Sequence, residues 1–370
     1  MNNTAATPGI ASRNTVVGRA TTRTLLIQVD EDMDAERGDG ELNEATTIPK
    51  KGGKRWINQE QEDDTIVDEV IGGVLRRLND ARALITIKGV DMNTLKKHEK
   101  FLYPVVRVYG TRGTGSGTVL YSKKDPENDG EFQTFVLTNY HVIESNISIK
   151  DAWDSIMQKE IKKEFIEPCH VEIFDYVRVS IVDSSNRYRS EIVAYSKEED
   201  LAIIRMETPR QYKCPATLIP RDDIKKLTLF QDVVVSGCSL AHEPFCNFGQ
   251  LTFFNEIIER KKYMMTNAVS IFGNSGGALF LADSGYMIGV PSRISGIQLG
   301  FGVDIITWMG FSCHPERLYE FFDDQEFQLL YDEKETYKGA LERREKRKKD
   351  ALLQLKAELA KEGNSKQIAL

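Results

Sequence analysis

Gly273-Asn274-Ser275-Gly276-Gly277 places a hydroxyl in a stretch almost free of side chains, inside otherwise strand-like sequence. Each glycine adds conformational freedom that folding must remove, so the arrangement needs a reason. Two backbone N–H groups, those of Gly273 and Ser275, converging beside the Ser275 hydroxyl would supply one, because such donors stabilise the oxyanion of an acyl-transfer intermediate. Read alone, the segment is equally an ordinary glycine turn. A serine hydroxyl is a weak nucleophile at neutral pH and needs a general base, with a third group to orient that base. Two other stretches offer them. Phe135-Val136-Leu137-Thr138-Asn139-Tyr140-His141 sets a histidine at the end of an apolar strand, and Asp200-Leu201-Ala202-Ile203-Ile204 sets an aspartate at the start of another.

The elements that must position these groups read as short β-strands. From Val105 to Asp304 the chain breaks into runs rich in β-branched and aromatic residues separated by turn signals. About a dozen strands over about 200 residues suit two six-stranded barrels or sandwiches. Asp175 and Asp183 compete with Asp200 for the orienting role, but neither precedes a comparable apolar run. His98, His170, His242 and His314 have no neighbours like those of His141.

Gly113-Thr114-Gly115-Ser116-Gly117, Leu137-Thr138-Asn139-Tyr140-His141-Val142, Asp200-Leu201-Ala202 and Gly273-Asn274-Ser275-Gly276-Gly277-Ala278-Leu279 resemble, in this order, the signatures of trypsin-like serine proteases. The nearest resemblance is to the HtrA/DegP branch, with its LTNxHV, DLAxL and GNSGGxL motifs; Leu299-Gly300-Phe301-Gly302-Val303 is similar to the strand that follows there. The resemblance spans about residues 101–314. It implies a mainly β, chymotrypsin-like double six-stranded β-barrel, here with helical N- and C-terminal extensions. His141, Asp200 and Ser275 would be the catalytic triad, following a known template. Gly273, Asn274 and Ser275 would form the oxyanion hole. Val269, six residues before the serine, would floor the first substrate pocket; Ser292 and Arg293 would lie on the strand that pairs with substrate backbone, and Gly300, Phe301 and Gly302 on the opposite wall. A valine floor cannot pair with Lys or Arg, so cleavage after small or medium apolar residues is expected. Asn274 stands where trypsins carry the aspartate of their zymogen switch, so that switch is missing.

Composition sets outer bounds. With 41% hydrophobic residues the chain can bury one large core or two, and a net charge of −7 disfavours nucleic acid as a partner. No apolar run approaches the ~20 residues of a membrane span. Met1 to Ala20 lacks the apolar core of a secretory signal, which places the chain in a cytoplasmic compartment. The five cysteines read as free thiols; Cys238, His242 and Cys246 match no zinc spacing, so neither metal nor cofactor is expected.

The domain reading follows. Residues 1–65 are a polar, disordered N-terminal tail, with Leu25 to Val29 able to add a strand to a sheet edge. Residues 66–100 carry helical spacing and pack on the protease domain of residues 101–314, which contains a helical insertion over 145–167. Residues 315–370 form a charged helical tail in place of a PDZ domain. Protein or peptide substrates are expected, with the N-terminal tail or C-terminal helix open to a protein partner and oligomerisation left open. The alternative is a catalytically silent protease-fold scaffold within a larger assembly.

Overall fold

The computed structural model describes residues 24–27, 92–126, 128, 130–154, 159–299 and 302–367. The remainder of the 1–65 tail, most of the 66–100 segment, and Gly300 and Phe301 lie outside the described residues. A short strand, β1 (Thr24–Ile27), comes first, followed by α1 (Met92–Lys97), which runs into a π-turn over His98–Leu102.

The first barrel begins with β2 (Val105–Tyr109), β3 (Thr114–Lys124) and β4 (Phe132–Thr138). After the one-turn helix α2 (Tyr140–Ile143) comes a hairpin, β5 (Ile147–Asp154) and β6 (Lys159–Ile166). Then β7 (Cys169–Arg178), β8 (Ile181–Ser196) and β9 (Leu201–Thr208) close a six-stranded barrel in the order β2-β3-β4-β9-β8-β7. Ala202, Ile204 and Met206 of β9 join Val136, Val119 and Val171 in the barrel interior. The alternate residues Leu201 and Ile203 face outward into a second cluster with Phe135, Leu137, Leu279 and Phe280. Both faces of β4 and β9 are therefore buried, which explains why these strands read as continuous apolar runs instead of alternating ones.

The second unit comprises β10 (Thr217–Leu218), α3 (Arg221–Ile224), β11 (Asp232–Gly237), β12 (Phe245–Ile258), β13 (Lys261–Thr266), β14 (Ala278–Leu281), β15 (Tyr286–Gly289), β16 (Pro291–Leu299) and β17 (Gly302–Cys313). The hydrogen-bonded order is β1-β16-β17-β13-β12-β11-β14-β15-β10. β15 and β16 are separated only by Val290 and act as one bent strand. Its first half pairs with β14 and its second with β17, which closes a six-stranded ring. The double-barrel expectation is met.

Two expectations change. Residues 145–167 are not helical: β5 and β6 pair from Ile147↔Ile166 to Asp154↔Lys159. The alternation Ile147, Ile149, Asp151, Trp153 outweighs the helical spacing of Ile161 and Phe165, and Ile149 and Trp153 are exposed on the hairpin. The 315–370 segment is also not wholly a tail. Although α4 (Pro315–Asp324) and α5 (Tyr337–Gln367) are helices, Leu318, Phe321, Phe322, Phe327, Leu329 and Ala340 belong to the main core. Phe327 meets Phe135 of the first barrel edge-on and Tyr337 meets it at a tilt, at ring distances of 5.8 and 5.0 Å. Burying a phenylalanine is worth about 1.5–3 kcal/mol, so the core extends past residue 314 and the apolar part of the segment outweighs its charge. Among the described residues no helix is long and apolar enough to cross a membrane.

Candidate active site

The first barrel delivers two of the three groups by strand pairing. β4 and β9 run antiparallel with Thr138 opposite Ala202, so the residues just beyond Thr138 and just before Ala202 emerge at the same end. His141 lies on α2 and Asp200 in the turn entering β9. The Asp200 carboxylate accepts from His141 Nδ1, at 2.9 Å for Oδ1 and 3.0 Å for Oδ2, and from the His141 backbone N–H at 3.1 Å. Asp200 has φ +54°, the left-handed region that Asp tolerates better than most residues. Its carbonyl is held there by Asn139 Nδ2 at 2.7 Å. That same Nδ2 lies 3.1 Å from Ser292 Oγ, which donates onward to the Val290 carbonyl at 3.1 Å.

This network assigns a tautomer. Both atoms facing Nδ1 are carboxylate oxygens, which only accept, so Nδ1 carries the proton and the Nε2 lone pair is left for general-base work. Nε2 is buried and makes no hydrogen bond among the described residues, Ser275 included. The structure thus brings His141 and Asp200 together and sets the Ser275 loop alongside, without a Ser275–His141 hydrogen bond. Such bonds often tighten only when substrate is bound.

The second barrel supplies the loop between β13 and β14. The Phe272 carbonyl accepts from the Leu240 N–H at 2.9 Å, and the Asn274 carbonyl accepts from the Gly277 N–H at 3.0 Å. In a trans peptide the N–H points opposite its carbonyl, so the Gly273 and Ser275 N–H groups are both turned away from those anchors. Neither is hydrogen-bonded to an acceptor among the described residues. Gly273 has φ +89°, and a Cβ there would sit 2.7 Å from Leu240 N and 2.8 Å from the Cys238 carbonyl. Only glycine fits. The Asn274 side chain turns inward, its Oδ1 accepting from the Ser239 hydroxyl, so its part in the site is to brace the loop.

Several positioning groups escaped the sequence reading. Ser116 on β3 reaches across the seam: its N–H donates to the Ser275 carbonyl at 2.8 Å, and its hydroxyl donates to the Gly273 carbonyl at 2.5 Å while accepting from Cys238 N–H at 2.7 Å. Asn139 and Ser116 both stand inside the quoted motifs, which was the available signal. Arg317 on α4 had none. Its Nε donates to Glu199 Oε2 at 2.7 Å and its Nη2 to the Glu199 carbonyl at 3.1 Å, with Lys261 on the same carboxylate. Burial works against ionising Glu199, but the hydrogen bonds from Lys261 and Arg317 outweigh it and hold the carboxyl below the usual range.

Among the expected pocket residues, Val269 is exposed and its carbonyl is fixed by Asn247 Nδ2 at 3.0 Å. Gly302 opens β17. Arg293 lies on β16; its side chain is buried and donates to Glu259 at 3.1 Å. Asp175 is spoken for by Arg210 and Asn186.

Two six-stranded barrels with a buried His–Asp pair and a glycine-flanked serine at their seam define a chymotrypsin-fold serine protease domain. Residues 115–290 match the family model of the trypsin-like peptidase domain. Among solved structures, Deg5 is similar with a TM-score of 0.42 and 20% identity over 62% of this chain and 91% of its own. The HtrA-type protease AlgW, solved with a tripeptide, gives a TM-score of 0.43 and 17% identity; the match covers 63% of this chain and 62% of AlgW. No curated protein sequence matches.

Proposed function

We propose that the chain is a serine endopeptidase of the HtrA type. The observation that carries this reading is the buried His141–Asp200 pair, in which Nδ1–H donates to the carboxylate and the Nε2 lone pair is left without a partner beside the Ser275 loop. In the proposed cycle Ser275 Oγ attacks a peptide carbonyl while His141 Nε2 takes its proton. Asp200 holds the ring and stabilises its charged form. The N–H groups of Gly273 and Ser275 receive the developing oxyanion, each worth on the order of 100- to 1,000-fold in rate. His141 then protonates the leaving amine, and water, activated by the same ring, releases the acyl group from Ser275. Val269 at the pocket floor selects small or medium apolar side chains, broadly, because one methylene changes selectivity by only about 1–3 kcal/mol.

One observation favours the alternative of a silent protease-fold scaffold: Ser275 and His141 share no hydrogen bond here. Fluorophosphonate labelling separates the two readings. Stoichiometric labelling of the wild-type chain, lost in both Ser275→Ala and His141→Ala, supports the enzyme. A well-folded wild type that takes no label supports the scaffold.

A further inference from the structure

β16 has β17 on one side; on the other lies β1, from the distant N-terminal region. The pairing is antiparallel, with Thr24↔Ile297, Leu25↔Gly296, Leu26↔Ser295 and Ile27↔Ile294. Without β1, this flank of β16 would present a row of free N–H and C=O groups, the usual template for adding an extended peptide. The edge also begins at the site. The Pro291 carbonyl accepts from the N–H of Gly276, the residue after Ser275, at 3.2 Å, and the Ser292 hydroxyl is bonded by Asn139. A strand seated on β16 as β1 is seated therefore runs, N to C, toward the nucleophile.

We infer that the chain's own Thr24–Ile27 is the resident ligand of this edge, where the resemblance already places substrate backbone, and competes there with extended apolar peptides. The inference rests on the protease reading for what the site does, but not for whether it is occupied. Thr-Leu-Leu-Ile is suited to the role: Thr24 and Ile27 are β-branched, Leu25, Leu26 and Ile27 are apolar, and no charge or proline blunts the pairing. The register also selects a bond. A peptide held on β16 in this register presents, opposite Ser292, the residue two places beyond the Ile27 position; in a peptide copied from residues 22–33 that residue is the valine of position 29. It has the medium apolar side chain expected over Val269.

The test uses the full chain in a Ser275→Ala background, so that binding is read without turnover. A fluorescent peptide copied from residues 22–33 is titrated by anisotropy into this chain and into the same chain carrying Leu25→Pro and Leu26→Pro. Successive N–H groups of a strand point to opposite sides, so the double change removes whichever one faces β16. Leu26→Asp with Ile27→Asp weakens the same strand by charge and serves if the prolines disturb folding. The expected result is at least tenfold tighter peptide binding in the weakened chains. With Ser275 restored, KM for an apolar peptide falls at least tenfold at unchanged kcat. Equal peptide affinity in the parent and weakened chains, or no binding to any of them, overturns the inference. Peptide binding that follows the inference without fluorophosphonate labelling of Ser275 fails the protease reading alone.

Discussion

Ser116→Ala should cost the protein both stability and speed. The Ser116 hydroxyl is fully buried at the seam, donating to the Gly273 carbonyl at 2.5 Å and accepting from the Cys238 N–H at 2.7 Å. Alanine keeps the strand and nearly the volume but leaves one buried donor and one buried acceptor without this partner. Each unmet buried group costs about 1–3 kcal/mol, so destabilisation of about 2–6 kcal/mol is expected. The same change frees the Gly273 peptide, next to a proposed oxyanion donor, and a misdirected donor lowers kcat by on the order of 100-fold or more. Urea denaturation reads the first effect, and the rate of fluorophosphonate labelling under native conditions reads the second. Ser122→Ala is the control. It removes a buried hydroxyl from the same strand, one bonded to Thr134 Oγ1 and Tyr212 N–H at 2.9 Å each, and should lose stability without losing labelling rate. A Ser116→Ala chain within about 0.5 kcal/mol of wild type and labelled at the wild-type rate would refute the cross-seam strut.

Gly276→Ala should be more severe, because φ is +83° and the new Cβ would lie 2.2 Å from both the Ser116 carbonyl and Thr138 Oγ1. A loss of at least about 2 kcal/mol in thermal unfolding, with abolished labelling, is expected. His314 should give an acid-sensitive component of stability. Its Nδ1 accepts from Glu316 N–H at 3.3 Å at the start of α4; burial pushes its pKa down from 6.5 to about 4, with Lys262 and Arg317 lowering it further and Glu316 opposing. The unfolded chain takes up the proton first, so this contribution is complete above about pH 6.5 and is lost as pH falls toward 4. Urea midpoints across that window should fall in the wild type and fall less in His314→Asn, which keeps an uncharged cap.

Much of the candidate site was legible because the proposed chemistry restricts residue types and strand pairing restricts where they emerge. His141 and Asp200 each stand beside a strand whose two faces are both buried, and that double burial wrote the apolar runs that flagged them. Gly273 was legible for a steric reason, since no side chain fits against Leu240 and Cys238. The hairpin of β5 and β6 was misread because Ile161 and Phe165 satisfy a helical period by coincidence, while its strand alternation is diluted by lysines and glutamates on an exposed ribbon. Arg317 could not be found, because a single arginine in a charged segment carries no mark of the partner it will meet. The C-terminal boundary failed for a related reason: charge density concealed Leu318, Phe321, Phe322 and Phe327, whose burial depends on surfaces contributed by both barrels.

The pattern of braces explains why the machinery sits at a seam and not inside either barrel. A barrel interior is filled by its own side chains, as Val119, Val136 and Ile204 fill the first, and leaves no room for substrate. At the seam, each half of the machinery is held by the opposite barrel. Ser116 and Thr138 of the first crowd the Ser275 loop of the second, while Ser292 of the second meets Asn139, which fixes the backbone of Asp200 in the first. Arg317 adds α4 to the same lock through Glu199, the immediate neighbour of Asp200. Neither barrel alone can therefore hold a competent site. On the proposed reading, assembly of Ser275, His141 and Asp200 into one site is conditional on docking of both barrels and of α4, so a lesion at any of the three contacts should reach the proposed catalytic geometry through backbone that never touches substrate.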